Sequence, residues 1–435
     1  MDYWHAVLAF VVAAAVAAAV TPLAARLARM IGAVDAPRER GLAARETPLL
    51  GGLAILAAVL ICAAIWMPHS IRLPLTPHSG GATSHVDTLG LMAGAVLIAL
   101  VGALDDVFDL PPLVKLLGQV TAAIIAVKAG AVVTDVTIPF VGALQFPHAG
   151  GTLTVIWLVA LMNVINFSDG VDGLAAGLTA IDGIAFTIIA FSLHVSGAAV
   201  LAALTAGAAL GFLVHNFHPA SVFMGDAGAN LLGYLLGVVA VVGTLKTNAV
   251  VALLVPFVIL AVPVLDTAFV VAKRLKYGRK PWSADANHFH HRMARIGFSQ
   301  RKTVAYLYTW SALLALLAVA LRVLPIHPHN THYSDAWLAV LVVLALVALA
   351  FSIYLVIVLE IFKFPGLPRF ESTAGPQPHG EPGSGAPPPG QPAPPLAADG
   401  PGAPPGGVEM PRREGSGARE GAAPDVETGE FTRVR

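Results

Sequence analysis

Apolar residues fall in long blocks separated by short polar, Pro- or Gly-containing breaks. The blocks run at about 3–27, 48–67, 87–104, 113–130, 151–167, 174–193, 197–214, 228–245, 249–272, 303–323 and 336–362. A helix needs about 17–25 such residues to cross a bilayer, so the pattern predicts about eleven transmembrane helices in an all-α integral membrane protein. The narrowest break, Ser192 to Gly197 around His194, divides the sixth block from the seventh. The first block has no basic segment before it and is longer than a signal-peptide core, so it reads as a retained span.

An odd number of spans puts the termini on opposite sides, and the positive-inside rule chooses between them. With the N-terminus outside, the inner loops carry Arg29, Arg38, Arg40 and Arg45, then Lys273, Arg274, Lys276, Arg279, Lys280, Arg292, Arg295, Arg301 and Lys302, while the outer loops hold little more than Arg72 and Lys246. The formal net charge of zero hides this asymmetry. Composition agrees with the class: 56% of the 435 residues are hydrophobic and 12% charged, against about 25% charged in soluble domains. Cys62, the one cysteine, lies inside an apolar block and reads as packing. Residues 1–365 form the membrane domain. Residues 366–435, rich in Pro and Gly as in GAPPPGQPAPP, lack the apolar residues to offset ordering entropy and read as a disordered cytoplasmic tail.

Four polar clusters interrupt the apolar pattern, all on the cytoplasmic side of this topology. The first is Asp105-Asp106-Val-Phe-Asp109, at the end of the third span. Asp105 and Asp109 are four apart and share a helix face, with Asp106 to one side. Three carboxylates beside hydrocarbon call for a partner, and a hard divalent cation with oxygen ligands fits; a solvated helix end is the plain alternative. The second is Asn163-Val-Ile-Asn166-Phe-Ser-Asp169-Gly-Val-Asp172-Gly, whose amides and acids recur every three residues, with glycines for a tight turn. The third, His215-Asn-Phe-His-Pro-Ala-Ser-Val-Phe-Met-Gly-Asp226, sets Asp226 at a helix start, either facing an anion or as an N-cap. The fourth is the basic loop with Arg279, His288, His290 and His291. Three histidines in four residues permit zinc, but no cysteine is near and the cationic setting suits an anionic substrate better. His69, His78, His85, His327, His329 and His332 lie in outer loops and read as solvated.

The ordered set DDVFD, NVINFSDGVDGL, FMGDAG and HFHH resembles the bacterial polyprenyl-phosphate N-acetylhexosamine-1-phosphate transferases, the family that also contains the phospho-MurNAc-pentapeptide translocase. The likeness covers roughly residues 1–362, and Val34-Asp-Ala-Pro37 through Thr47-Pro48-Leu-Leu-Gly51-Gly52 is similar to the family's first cytoplasmic loop. Asp109 and the His288, His290, His291 spacing resemble the branch using UDP-GlcNAc-like donors. Some positions depart from the family pattern: Gly41 and Ala43 stand where a lysine and a histidine are frequent after Arg40, Ala229 where a serine is, and Ala286 where a basic residue is.

The resemblance implies transfer of N-acetylhexosamine 1-phosphate from a UDP-sugar to polyprenyl phosphate in the bacterial plasma membrane, with the active site on the cytoplasmic face. It implies Mg2+, with Mn2+ as a substitute, held by Asp226 and assisted by Asp109. Asp105, Asp106 and Asp169 would be catalytic. Asn163, Asn166, Asp172, Arg279, His288, His290 and His291 would bind substrate. Partners would be the nucleotide sugar, the lipid phosphate and the membrane, with no nucleic acid; a homodimer is compatible. The other readings are transfer of the pentapeptide-bearing sugar, or a non-catalytic transporter or scaffold, since intramembrane acids also mark ion pathways.

Overall fold

The computed structural model describes residues 3–35, 46–73, 85–133, 135–138, 142–146, 148–243, 258–276, 293, 297–324 and 335–358. Among these, each apolar block yields one helix: α1 (Tyr3–Ile31), α2 (Gly51–Trp66), α3 (Thr88–Phe108), α4 (Pro112–Lys128), α5 (Gly150–Ser168), α6 (Leu174–Ser192), α7 (Ser196–Asn216), α8 (Gly225–Gly243), α9 (Ala261–Lys276), α10 (Gln300–Val323) and α11 (Asp335–Val358). All except α2, α4 and α9 are long and apolar enough to cross a membrane; those three are 16, 17 and 16 residues long. The tail 366–435 and the loop with Arg279, His288, His290 and His291 lie outside the described residues.

Helix ends differ from the hydropathy pattern where polar residues find partners. The third block fades at about Leu104, but α3 runs on to Phe108 because Asp105 and Asp106 are both buried and bonded within the protein. The eighth block starts near Gly228, but α8 starts at Gly225. The break between α6 and α7 is a tight turn with His194 at φ 60°.

Helices α7 and α8 are buried along almost their whole length and form the centre of the bundle. Lipid tails are as apolar as leucine, so helices in a membrane associate through close packing of small residues. The α1–α7 seam follows that rule. Ala6, Ala9, Ala13 and Ala17 of α1 are fully buried, and a Cβ on Gly207 or Gly211 of α7 would collide with the carbonyls of Phe10 or Ala14. One turn further, His215 Nε2 donates to the Ala18 carbonyl at 2.9 Å. On the outside, α11 exposes Leu338, Val340, Val343, Leu346 and Leu349, an apolar surface suited to lipid. Cys62 is buried and unpaired in a disulfide, as expected of a packing residue.

Successive helices alternate in direction. The C-terminal ends of α1, α3, α5 and α7 therefore meet the N-terminal ends of α2, α4, α6, α8 and α10 at one end of the bundle. A short antiparallel pair, β1 (Val34–Asp35) with β2 (Thr47–Pro48), closes the first connection there. At the opposite end lie the hairpins β3 (Ser70–Arg72) with β4 (His85–Asp87), and β5 (Asp135–Ile138) with β6 (Gly142–Gln145).

Candidate active site

The three polar clusters that lie within the described residues converge at the end where β1 and β2 pair. The start of α8 is the centre of this assembly. Asp106, from the last turn of α3, accepts the backbone N–H of Asp226 at 2.8 Å on one carboxylate oxygen and that of Ala227 at 3.2 Å on the other. A helix start leaves its first N–H groups without intrahelical partners and carries partial positive charge. Asp106 answers both, although it lies 120 residues away in sequence. The fit requires glycine at 225: its φ is +67°, and a Cβ there would collide with the Asp106 carboxylate and the Leu49 carbonyl. The start of α2 is tied to the same place, with Gly51 N–H on the Phe223 carbonyl at 3.0 Å, Gly52 N–H on Met224 at 2.9 Å and Phe223 N–H on Pro48 at 2.8 Å.

With its backbone so fixed, Asp226 presents its side chain to three other helices. Lys115 Nζ of α4 lies 3.0 Å from Asp226 Oδ2 and also forms an ion pair with Asp105 Oδ2. Asn166 Nδ2 of α5 donates to Asp226 Oδ1 at 3.0 Å, and Asp105 Oδ1 accepts the Leu110 N–H at 2.8 Å. Two carboxylates thus face one ammonium. A chain of amides continues inward: Asn163 Nδ2 donates to Gln119 Oε1, Gln119 Nε2 to Asn230 Oδ1, each at 2.8 Å, and Asn230 Nδ2 to the Asp226 carbonyl at 2.8 Å.

A second group of contacts holds the turn between α5 and α6 against the turn between α7 and α8. Asp172 Oδ2 accepts His218 Nδ1 at 2.8 Å and the Ala220 N–H at 3.0 Å. Gly173, left-handed at φ +79°, gives its N–H to Asn216 Oδ1 at 3.0 Å, and Asn216 Nδ2 donates to the Val222 carbonyl at 3.0 Å. Asp169 is half-buried at the C-cap of α5, between the two groups in sequence.

The structure therefore brings together Asp105, Asp106, Asn163, Asn166 and Asp226, with Asp172 in the neighbouring turn. Asp109 differs from its expected placement one turn beyond Asp105 on the same face. The helix ends at Phe108, and Asp109 is an exposed C-cap with φ 52°. Asp106, expected to one side of that face, holds the start of α8 with both of its oxygens. Lys115 and Gln119 escaped the sequence reading because they are isolated polar residues in a mostly apolar block; their i, i+4 spacing on one face of α4 was the available signal.

The donor set suits a hard cation: it is made of oxygens, and an ammonium already sits between two carboxylates. Among the described residues no three His, Cys, Asp or Glu side chains converge on one point. Mg2+ does not need three, as it is commonly held by one or two carboxylates together with substrate phosphates. Asp226 fits that role.

Residues 88–244, which contain both groups of contacts, match the family described as glycosyl transferase family 4. A Bacillus subtilis (strain 168) protein named Probable undecaprenyl-phosphate N-acetylglucosaminyl 1-phosphate transferase is 33% identical over 323 residues, covering 73% of this chain and 85% of that protein. A Mycolicibacterium smegmatis protein named Decaprenyl-phosphate N-acetylglucosaminephosphotransferase is 36% identical over 320 residues, 68% of this chain and 76% of that one. A Halalkalibacterium halodurans protein named Phospho-N-acetylmuramoyl-pentapeptide-transferase is 30% identical over 292 residues, 64% of this chain and 84% of that one.

Proposed function

Because the chain belongs to glycosyl transferase family 4 and is a multi-pass membrane protein, we propose that it transfers N-acetylglucosamine 1-phosphate from UDP-N-acetylglucosamine to a polyprenyl phosphate. The products are the polyprenyl diphosphate sugar and UMP. The observation that carries this reading is the Asp105–Lys115–Asp226 group, anchored by Asp106 at one end of the bundle within the matching segment. Both phosphorylated substrates reach such a site without crossing the membrane. Relatives named for N-acetylglucosamine phosphate share more identity with the chain than the one named for the pentapeptide sugar, which favours the simple sugar.

In this reaction an oxygen of the lipid phosphate bonds to the sugar-bearing phosphorus, and the bond from that phosphorus to the bridging oxygen breaks. UMP departs with the electron pair. Two anions must meet, so positioning and charge neutralisation dominate. Lys115 supplies positive charge between the acids. Asp105 orients the lipid phosphate and takes its proton, an easy transfer from a group with a second pKa of about 6. Asp106 keeps the start of α8, and with it Asp226, in place. Asn166 fixes the Asp226 carboxylate, while Asp169 and Asp172 address the nucleotide end. Arg279, His288, His290 and His291 would grip phosphates from the basic loop. Mg2+ bound by Asp226 would neutralise diphosphate charge and stabilise the leaving UMP. The basic residues at this end of the helices support a cytoplasmic orientation. A transport role is disfavoured, because the clustered acids stand at helix ends and not midway along spans.

The test is direct. Purified protein with UDP-N-acetylglucosamine, Mg2+ and polyprenyl phosphate should release UMP and form a lipid-linked sugar. Absence of UMP from inserted, folded protein sinks the activity. A tenfold or greater kcat/KM preference for the pentapeptide-bearing donor sinks the choice of sugar while keeping the reaction class.

A further inference from the structure

Helix α10 is remote in sequence from the acids of the site, yet three of its polar residues reach α6, the Asp172–Gly173 turn before it, or the His218 turn bonded to Asp172. Arg301 Nη2, in its first turn, donates to the His218 carbonyl at 3.3 Å. Two turns later the Tyr308 hydroxyl donates to the Gly173 carbonyl. One turn further, Ser311 Oγ donates to Asp182 Oδ1 at 2.8 Å, with both side chains completely buried against α6. The spacing of 301, 308 and 311 puts all three on one side of the helix. Opposite Tyr308, α6 carries Gly177, where a Cβ would overlap the phenol ring and its oxygen. The tyrosine therefore lies in a notch that only glycine leaves open.

These contacts meet at one point. Gly173 is held by its N–H from Asn216 of α7 and by its carbonyl from Tyr308 of α10. The residue before it, Asp172, is bonded to His218 and Ala220, and the His218 carbonyl is in turn bonded by Arg301. A buried serine–carboxylate pair fixes the register between α6 and α10, because a slip of either helix would leave a carboxylate without its donor in an apolar interior. The hydroxyl of Tyr308 adds little to the start of α6, since the Gly173 carbonyl also accepts the Gly177 N–H at 2.9 Å. What it adds is a fixed direction for the turn ahead of α6, where the Asp172 carboxylate stands.

We infer that Tyr308 is a positioning residue for the donor: α10 acts as a strap that, through Gly173, holds Asp172 in the orientation that receives the nucleotide end of the donor sugar. This rests on the reading of Asp172 as a donor-binding residue.

The experiment uses the full chain in lipid nanodiscs and the Tyr308→Phe variant, which keeps the ring in the Gly177 notch and removes only the hydroxyl. The KM for UDP-N-acetylglucosamine is expected to rise about five- to tenfold, the scale of one lost hydrogen bond, with kcat, the KM for polyprenyl phosphate and the thermal midpoint unchanged. Amide hydrogen exchange should quicken several-fold over residues 170–173 and stay unchanged in α7 and α8. Gly177→Ala, which pushes the ring out of the notch, should raise the donor KM and quicken exchange over residues 170–173 in the same way, with a lowered midpoint from overpacking. An unchanged donor KM with unchanged exchange overturns the inference. So does an equal rise in both KM values with a lowered midpoint, which marks a general packing role. The exchange measurement needs no turnover, so if wild-type protein releases no UMP the donor reading falls while the strap is still decided by exchange.

Discussion

Replacing Asp106 by asparagine separates two roles that a buried acid in this site can have. In the structure both carboxylate oxygens accept backbone N–H groups at the start of α8, at 2.8 and 3.2 Å. Asparagine keeps one acceptor and turns an NH2 group toward the other N–H. That leaves one buried donor unsatisfied, at a cost of about 1–3 kcal/mol. Loss of a negative charge at a helix start removes a further ~0.5–1 kcal/mol. Together about 2–4 kcal/mol falls on the segment that carries Asp226. The thermal midpoint of the detergent-solubilised protein should drop by on the order of 5 °C or more. UMP release should fall by about a hundredfold or more, as a charged group near the reacting phosphates is displaced. The assay pairs a melting curve with turnover on the same preparation. Turnover abolished at an unchanged midpoint would refute the anchoring role and place Asp106 in contact with substrate.

Asp226→Asn should lower turnover by about two to three orders of magnitude with a smaller fall in midpoint than Asp106→Asn, since the backbone at 226 stays held by Asp106 while the side chain loses its charge and its ion pair with Lys115. Chelation of divalent cations should abolish UMP release, and Mg2+ or Mn2+ should restore it; full activity in excess chelator would remove the metal from the mechanism. Gly211→Val in the α1–α7 seam should destabilise by about 1–3 kcal/mol or more through overpacking against the Ala14 carbonyl, seen as reduced yield of folded protein. The fraction that folds should keep its kcat.

The helices were legible because the chain writes each as an unbroken apolar block, and eleven blocks became eleven helices among the described residues. Their ends were less so. Hydropathy stops α3 before Asp105, whereas the folded protein continues it to Phe108 by giving both acids partners. The acids and amides of the site stood out as dense clusters, but what they bond to did not, since Asp106 and Asp226 are joined only by the fold. Lys115 and Gln119 were hidden for a different reason. They are isolated polar residues in a mostly apolar helix, and the partners on α8 lie more than a hundred residues away. Tyr308 had no local signal either, because a tyrosine in a span reads as apolar filler until the Gly177 notch opposite it is seen.

The bond from Asp106 to the start of α8 also has a bearing on biogenesis. Chains emerge from the ribosome N-terminus first, so α3 enters the bilayer long before residues 225–227 exist. Until then the Asp106 carboxylate lacks its two donors, and Asp105 and Lys115 have no Asp226 to meet. A chain halted after six or seven helices therefore contains most of the bundle but no assembled pair of acids. The group of acids is completed in a single step, when α8 docks between α3 and α5 and brings Asp226 to Asp106 and Asn166.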